Sequence, residues 1–180
     1  MSDVDQMFVV TGGPGSGKTT LITALAACGF STMPEAGRAI IQQQIAIGGT
    51  ALPWSNRLAF AELMLDMDIR SYRAAQELRG PVIFDRGMPD VLGYLRVSGV
   101  PPPDRIEEAA RKFRYHRRVF IAPPWPAIFG QDEERKQSIA EAEATYDAMV
   151  DVYSSLGYEL LVLPLIPVDE RVEFVRNLIG

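Results

Sequence analysis

Gly12-Gly13-Pro14-Gly15-Ser16-Gly17-Lys18-Thr19 is the stretch on which the fold turns. It fits G-x-x-x-x-G-K-[ST] at every fixed position. An apolar run (Phe8, Val9, Val10) leads into it, and a helical pattern through Leu21, Ile22, Leu25 and Ala26 follows. The spacing has a physical cause. Glycines let the backbone curl so that successive N–H groups point inward at anionic oxygens, at the positive end of a helix. Lys18 then reaches the β- and γ-phosphates of a nucleoside triphosphate, and the Thr19 hydroxyl is placed to ligate Mg²⁺. Residues Gly12 to Thr20 are therefore the candidate nucleotide-binding segment. A Gly-rich turn with an incidental lysine would not need four glycines, a Lys-Thr pair and these flanks together.

Outward from this motif the chain alternates short apolar runs with longer helical patterns. Met7–Thr11, Phe30–Met33, Val82–Asp85, Val119–Ala122 and Tyr158–Leu163 read as strands. Most lack polar alternation, which suits strands buried on both faces of a parallel sheet. Leu58, Ala61, Leu65, Ile69, Tyr72, Ala75 and Leu78 step by three or four and stop at Gly80-Pro81. Ile139, Ala142, Tyr146, Met149, Tyr153 and Leu156 do the same up to Gly157, and Val172, Val175 and Ile179 mark a last helix from about Asp169. After Pro101-Pro102-Pro103, acids open another helix and Arg111, Lys112 and Arg114 close it, complementing the helix dipole. The pattern predicts one three-layer α/β domain spanning residues 1–180.

A second motif is Pro81-Val82-Ile83-Phe84-Asp85-Arg86-Gly87. A buried strand ending in an acid is the Walker-B pattern, which sets the Asp85 carboxylate beside the metal held by Thr19. Arg86, next to that acid, can clamp a phosphoryl oxygen, or it can form an ion pair with Asp85 or Asp90. Pro34-Glu35-Ala36-Gly37-Arg38 follows the second strand, and loops at the carboxyl ends of strands line the ligand crevice of open α/β sheets. Glu35 and Arg38 thus stand either as acceptor-recognition residues or as a helix cap and a surface arginine. The charged stretch Gln131–Gln137 carries Arg135, a candidate cation over bound phosphates; a solvated helix start has the same composition.

The bulk numbers limit the partners. The chain has 180 residues, a net charge of −5 and a pI near 5.0. That argues against a nucleic-acid or anionic-membrane surface, since both need a basic face. The basic cluster Arg111–Arg118 is a helix end running into a strand. Cys28 and His116 are the only residues of their types, which excludes an internal disulfide and a Cys/His zinc site. Cys28 reads as a small core residue, Trp54 as core or lid packing, and His116 has no evident partner set. No apolar run approaches the roughly 20 residues that span a bilayer, and no basic leader opens the chain, so a cytoplasmic protein is expected.

Taken together, Gly12–Thr19, Glu35-Ala36-Gly37-Arg38 and Asp85-Arg86-Gly87 resemble the P-loop kinase branch that includes nucleoside and nucleoside-monophosphate kinases. Within it, the chain is most similar to the AAA-domain family of predicted ATPases and kinases related to nicotinamide riboside kinase, from Met7 to about Val175. The resemblance implies a five-stranded parallel sheet in the order 2-3-1-4-5 with helices on both faces. It implies a helical substrate insert at about 42–79 and a lid at about 123–137. The acid matching Asp85 serves metal or acceptor hydroxyl, the arginine matching Arg86 contacts phosphate, and Arg135 loosely matches a lid arginine. The loop Pro164 to Asp169 would lie near the base.

The expected activity is transfer of the γ-phosphoryl of ATP, with Mg²⁺, to a small nucleoside- or nucleotide-like acceptor by a monomer or homodimer. The alternative is an ATP- or GTP-binding hydrolase or switch with no small-molecule acceptor. A guanine-specific GTPase is disfavoured, because Pro123-Pro124-Trp125 stands where N-K-x-D would follow the fourth strand. An oligomeric motor is disfavoured by the short chain.

Overall fold

The computed structural model describes residues 3–128 and 139–180. Strands β1 (Met7–Gly12), β2 (Ser31–Met33), β3 (Val82–Asp85), β4 (Arg118–Ala122) and β5 (Glu159–Val162) form one sheet in the order β2-β3-β1-β4-β5. Every pairing is parallel. Each of the five apolar runs contains a strand, and the order is the one implied by the family resemblance.

Parallel neighbours require crossovers, and helices supply them. They are α1 (Lys18–Ala27), α2 (Ala36–Ile47), α3 (Arg57–Gln76), α4 (Met88–Val97), α5 (Asp104–Lys112), α6 (Ile139–Ser155) and α7 (Val168–Ile179). The period of two along β1 divides its side chains between two cores. Met7 and Val9 join Val82, Phe84, Val119 and Ile121 beneath α3, α4, α5 and α6. Phe8 and Val10 join Ile83, Phe120 and Ala122 against α1 and α7. Burial on both faces is why these strands read as continuous apolar runs. Each such fully buried side chain contributes about 1.5–3 kcal/mol.

Two helices were not expected from the pattern. In α2, Ala36 and Ile40 pack with Phe60 of α3 in a third, small core, while Ile45 and Ile47 point outward. Isoleucines on opposite faces blur the helical period. In α4, Pro89 occupies the first turn, where the missing N–H costs no intrahelical bond. The α3 stripe is buried at Ala61, Leu65, Tyr72 and Ala75, but its ends, Leu58 and Leu78, are exposed. The Asn56 side chain caps α3, Oδ1 accepting from Ala59 N at 3.0 Å.

Three sequence expectations are corrected. Trp54 packs in no core: it is 66% exposed, in the loop before α3. Cys28 is exposed at the end of α1, in the turn before β2. His116 does have partners, stacking on the Phe8 ring and accepting at Nδ1 from Arg118 N. No helix among the described residues is long and apolar enough to cross a membrane.

Candidate active site

The carboxyl ends of β1, β2 and β3 deliver the motifs to one cleft of about 880 Å³. The loop after β1 needs its glycines. Gly12 has φ +132°, and a Cβ there would stand 2.3 Å from the Ala122 carbonyl oxygen of β4. Gly17, which opens α1, has φ +78°, with an Arg171 nitrogen at 3.1 Å from an added Cβ. These positions hold the loop in its turn at the positive end of α1.

Lys18 is the first residue of α1 and is buried. Its Nζ donates to the Gly13 carbonyl at 2.6 Å and to Ser16 Oγ at 3.2 Å. Burial pulls its pKa down to about 7, helped by the Arg86 charge and opposed by Asp85, Glu35 and Asp90. A polyphosphate beside it would raise that pKa again, because an anion favours the ammonium form.

Asp85 ends β3 and lines the same cleft as Lys18 and the exposed Thr19. Burial raises its pKa, against the pull of Arg86 and Lys18. Its Oδ1 is buried without a hydrogen-bond partner. An orphaned carboxylate oxygen across from a threonine hydroxyl is a donor set that suits Mg²⁺, a hard cation that takes oxygen ligands. Among the described residues no group of three or more His, Cys, Asp or Glu could hold a metal alone. A magnesium ion here would therefore rely on phosphate oxygens and water for its other ligands.

Arg86 adopts φ +68°, a left-handed conformation that only this non-glycine residue takes among those described. Such backbone costs on the order of 1–3 kcal/mol and persists only when its surroundings hold it. Here they do. Arg86 N donates to Val10 O at 3.0 Å, Nη1 meets Asp90 Oδ1 at 3.2 Å, and Nε lies 3.6 Å from Glu35 Oε1. Of the two sequence readings, the ion pair is real, with Asp90 and Glu35 rather than Asp85. It leaves the guanidinium 21% exposed on the cleft, so a phosphate contact remains open to it. Glu35 precedes α2 but makes no side-chain cap; its carboxylate meets Arg86 instead. Arg38 is exposed and lines the cleft. Arg135 lies outside the described residues.

Three side chains tied to this site were not among the candidate site residues of the sequence, Asp90 having been named only as an ion-pair partner for Arg86. Asp90 is the hub. Its Oδ1 accepts from Thr11 Oγ1 at 2.5 Å and from Arg86, and its Oδ2 accepts from Tyr153 OH at 2.5 Å and Gly87 N at 3.0 Å. The spacing of four from Arg86 was the one signal available. Arg171 of α7 is 1% exposed and donates to Ser16 O at 2.8 Å and Pro164 O at 2.7 Å, with Trp125 over its guanidinium. Asp68 faces the cleft from α3.

Solved structures share this fold. A deoxyadenosine kinase from M.mycoides with the products dCMP and a flexible dCDP bound is 16% identical, with a TM-score of 0.69 over 95% of this chain and 97% of that one. A thymidylate kinase from Ehrlichia chaffeensis is 14% identical, with a TM-score of 0.65 over 97% and 98%. A NadR protein in complex with NR is 17% identical, with a TM-score of 0.66 over 98% of this chain and 51% of that one. A search of curated proteins by sequence finds no match. A family model described as an AAA domain matches residues 7–171, and the chain belongs to that family.

Proposed function

We propose that this protein is a phosphotransferase that moves the γ-phosphoryl of ATP to a small nucleoside- or nucleotide-like acceptor. One observation carries the reading. Lys18, Thr19, Asp85, Arg86 and Glu35 line a single cleft whose other wall is built by α2, α3 and α4. A switch that only hydrolyses its nucleotide needs room for a water; this cleft has room for a second substrate. The kinase fold of the structural neighbours supports the same reading.

The residues lining the cleft support the following roles. The loop N–H groups and Lys18 hold the β- and γ-phosphates. Mg²⁺, held through Thr19 and Asp85, would neutralise charge on the phosphoryl oxygens. Arg86, locked in place by Asp90 and Glu35, presents its remaining face to the transferred group. Glu35, which lines the same cleft, takes the hydroxyl proton as the acceptor oxygen bonds to γ-phosphorus and ADP leaves. Catalysis is then mostly positioning and electrostatics.

The test is mass spectrometry of products after incubating Mg·ATP with nucleosides, nucleotides and small alcohols. A phosphorylated acceptor is expected, with the rate falling on the order of 10²–10³-fold in Lys18→Ala and Asp85→Asn. ADP release that no acceptor changes would sink the proposal and leave the hydrolase or switch.

A further inference from the structure

The face of α3 that borders the cleft carries Phe60, Met64 and Asp68, four residues apart, so they stack along one side of the helix. Phe60 and Met64 make an apolar wall with Tyr94 of α4, whose ring meets Phe60 edge-on at 5.4 Å. Asp68 interrupts that wall. It has no hydrogen bond or ion pair among the described residues. Its surroundings among the described residues disfavour charge: desolvation, Asp90 and Glu35 act against its carboxylate, with Tyr115 also near, and Arg86 acts for it. Arg86 is already engaged by Glu35 and Asp90. Asp68 is half-buried on the cleft, and no contact within the fold accounts for an acid there; a polar group partly withdrawn from water without a partner costs stability.

We propose that Asp68 reads the base of the acceptor, pairing its carboxyl with a ring edge that offers a hydrogen-bond donor beside an acceptor, while Phe60, Met64 and Tyr94 hold the ring plane. The inference deepens the phosphotransferase reading and rests on it. A flat ring suits an aromatic-lined wall. A protonated carboxyl presents one donor and one acceptor side by side, which matches an exocyclic amine next to a ring nitrogen. Desolvation at the cleft wall and the neighbouring acids push the Asp68 carboxyl up to about 8, which favours its protonated form. Asparagine offers the same donor and acceptor without the titration.

The experiment compares wild type, Asp68→Asn and Asp68→Leu, with adenosine, cytidine and N6,N6-dimethyladenosine as acceptors of phosphate from Mg·ATP. Asp68→Leu is expected to raise KM for adenosine or cytidine about tenfold or more, leaving KM for ATP unchanged. Asp68→Asn is expected to stay within about threefold of wild type at pH 7 and to abolish the rise in acceptor KM that wild type shows as pH passes 8. Dimethylation, which removes the donor hydrogens, is expected to weaken the acceptor in wild type and not in Asp68→Leu. Equal KM values in wild type and Asp68→Leu, with transfer intact, overturn the role of Asp68 and leave the phosphotransferase. Calorimetry of adenosine and cytidine binding runs alongside. Asp68-dependent binding without transfer keeps the base reading and removes the phosphotransferase. Absence of both binding and transfer overturns both.

Discussion

Asp90 and Asp68 border the same cleft and do opposite work. Asp90 is 6% exposed and accepts from a threonine, a tyrosine, an arginine and a backbone N–H, so each lone-pair direction meets a donor. Asp68 accepts from none among the described residues. One carboxylate is a fastener whose partners come from β1, the loop between β3 and α4, and α6; the other is held ready and costs the fold something to keep. A saturated acid positions catalytic neighbours, whereas an unsaturated one facing a cavity has binding capacity left.

Asp90→Ala should have the largest effect. It strands Arg86, Tyr153 OH and Thr11 Oγ1 in the interior, and removing one partner of a buried charged network costs about 3–5 kcal/mol. Urea or thermal melts would measure this, and a loss under 1 kcal/mol would break the contrast with Asp68. Tyr153→Phe is milder, removing one hydrogen bond to a carboxylate at a cost of about 1.5–3 kcal/mol.

Asp68 makes stability depend on pH. Its folded pKa of about 8 lies above the ordinary 3.8, so the folded state holds a proton that the unfolded state has released. Its contribution to stability is complete below about pH 4 and is lost as pH rises toward 8, with a slope of at most about 1.4 kcal/mol per pH unit. Melting temperatures of wild type should therefore decline more steeply from pH 5 to 8 than those of Asp68→Asn. Parallel curves would refute the upward shift of this acid. At the small end, Trp54→Ala should change stability by no more than about 0.5 kcal/mol, since an exposed side chain loses little on truncation.

The contrast also separates what could be read from the chain and what could not. The phosphate loop was legible because its chemistry is local: glycines, lysine and threonine are adjacent in sequence. The strands were legible because burial on two faces leaves an unbroken apolar run, as in Phe8, Val9 and Val10. The Asp90 hub was not, because its partners Thr11 and Tyr153 lie 79 and 63 residues away. Helix α2 was hidden by Ile45 and Ile47, exposed apolar residues that break the period. Asp68 was hidden for the converse reason, as an acid on the cleft-facing side of an otherwise regular helix. Cys28 and Trp54 misled because residue type suggests burial while position decides it.

Arg171 ties the phosphate loop to the far end of the molecule. Its guanidinium bridges the carbonyls of Ser16 and Pro164, 155 residues apart in the first case. The loop's own residues are therefore not enough to hold the cradle. A substitution in α7 that displaces the Arg171 guanidinium would loosen the phosphate loop without changing any residue in it.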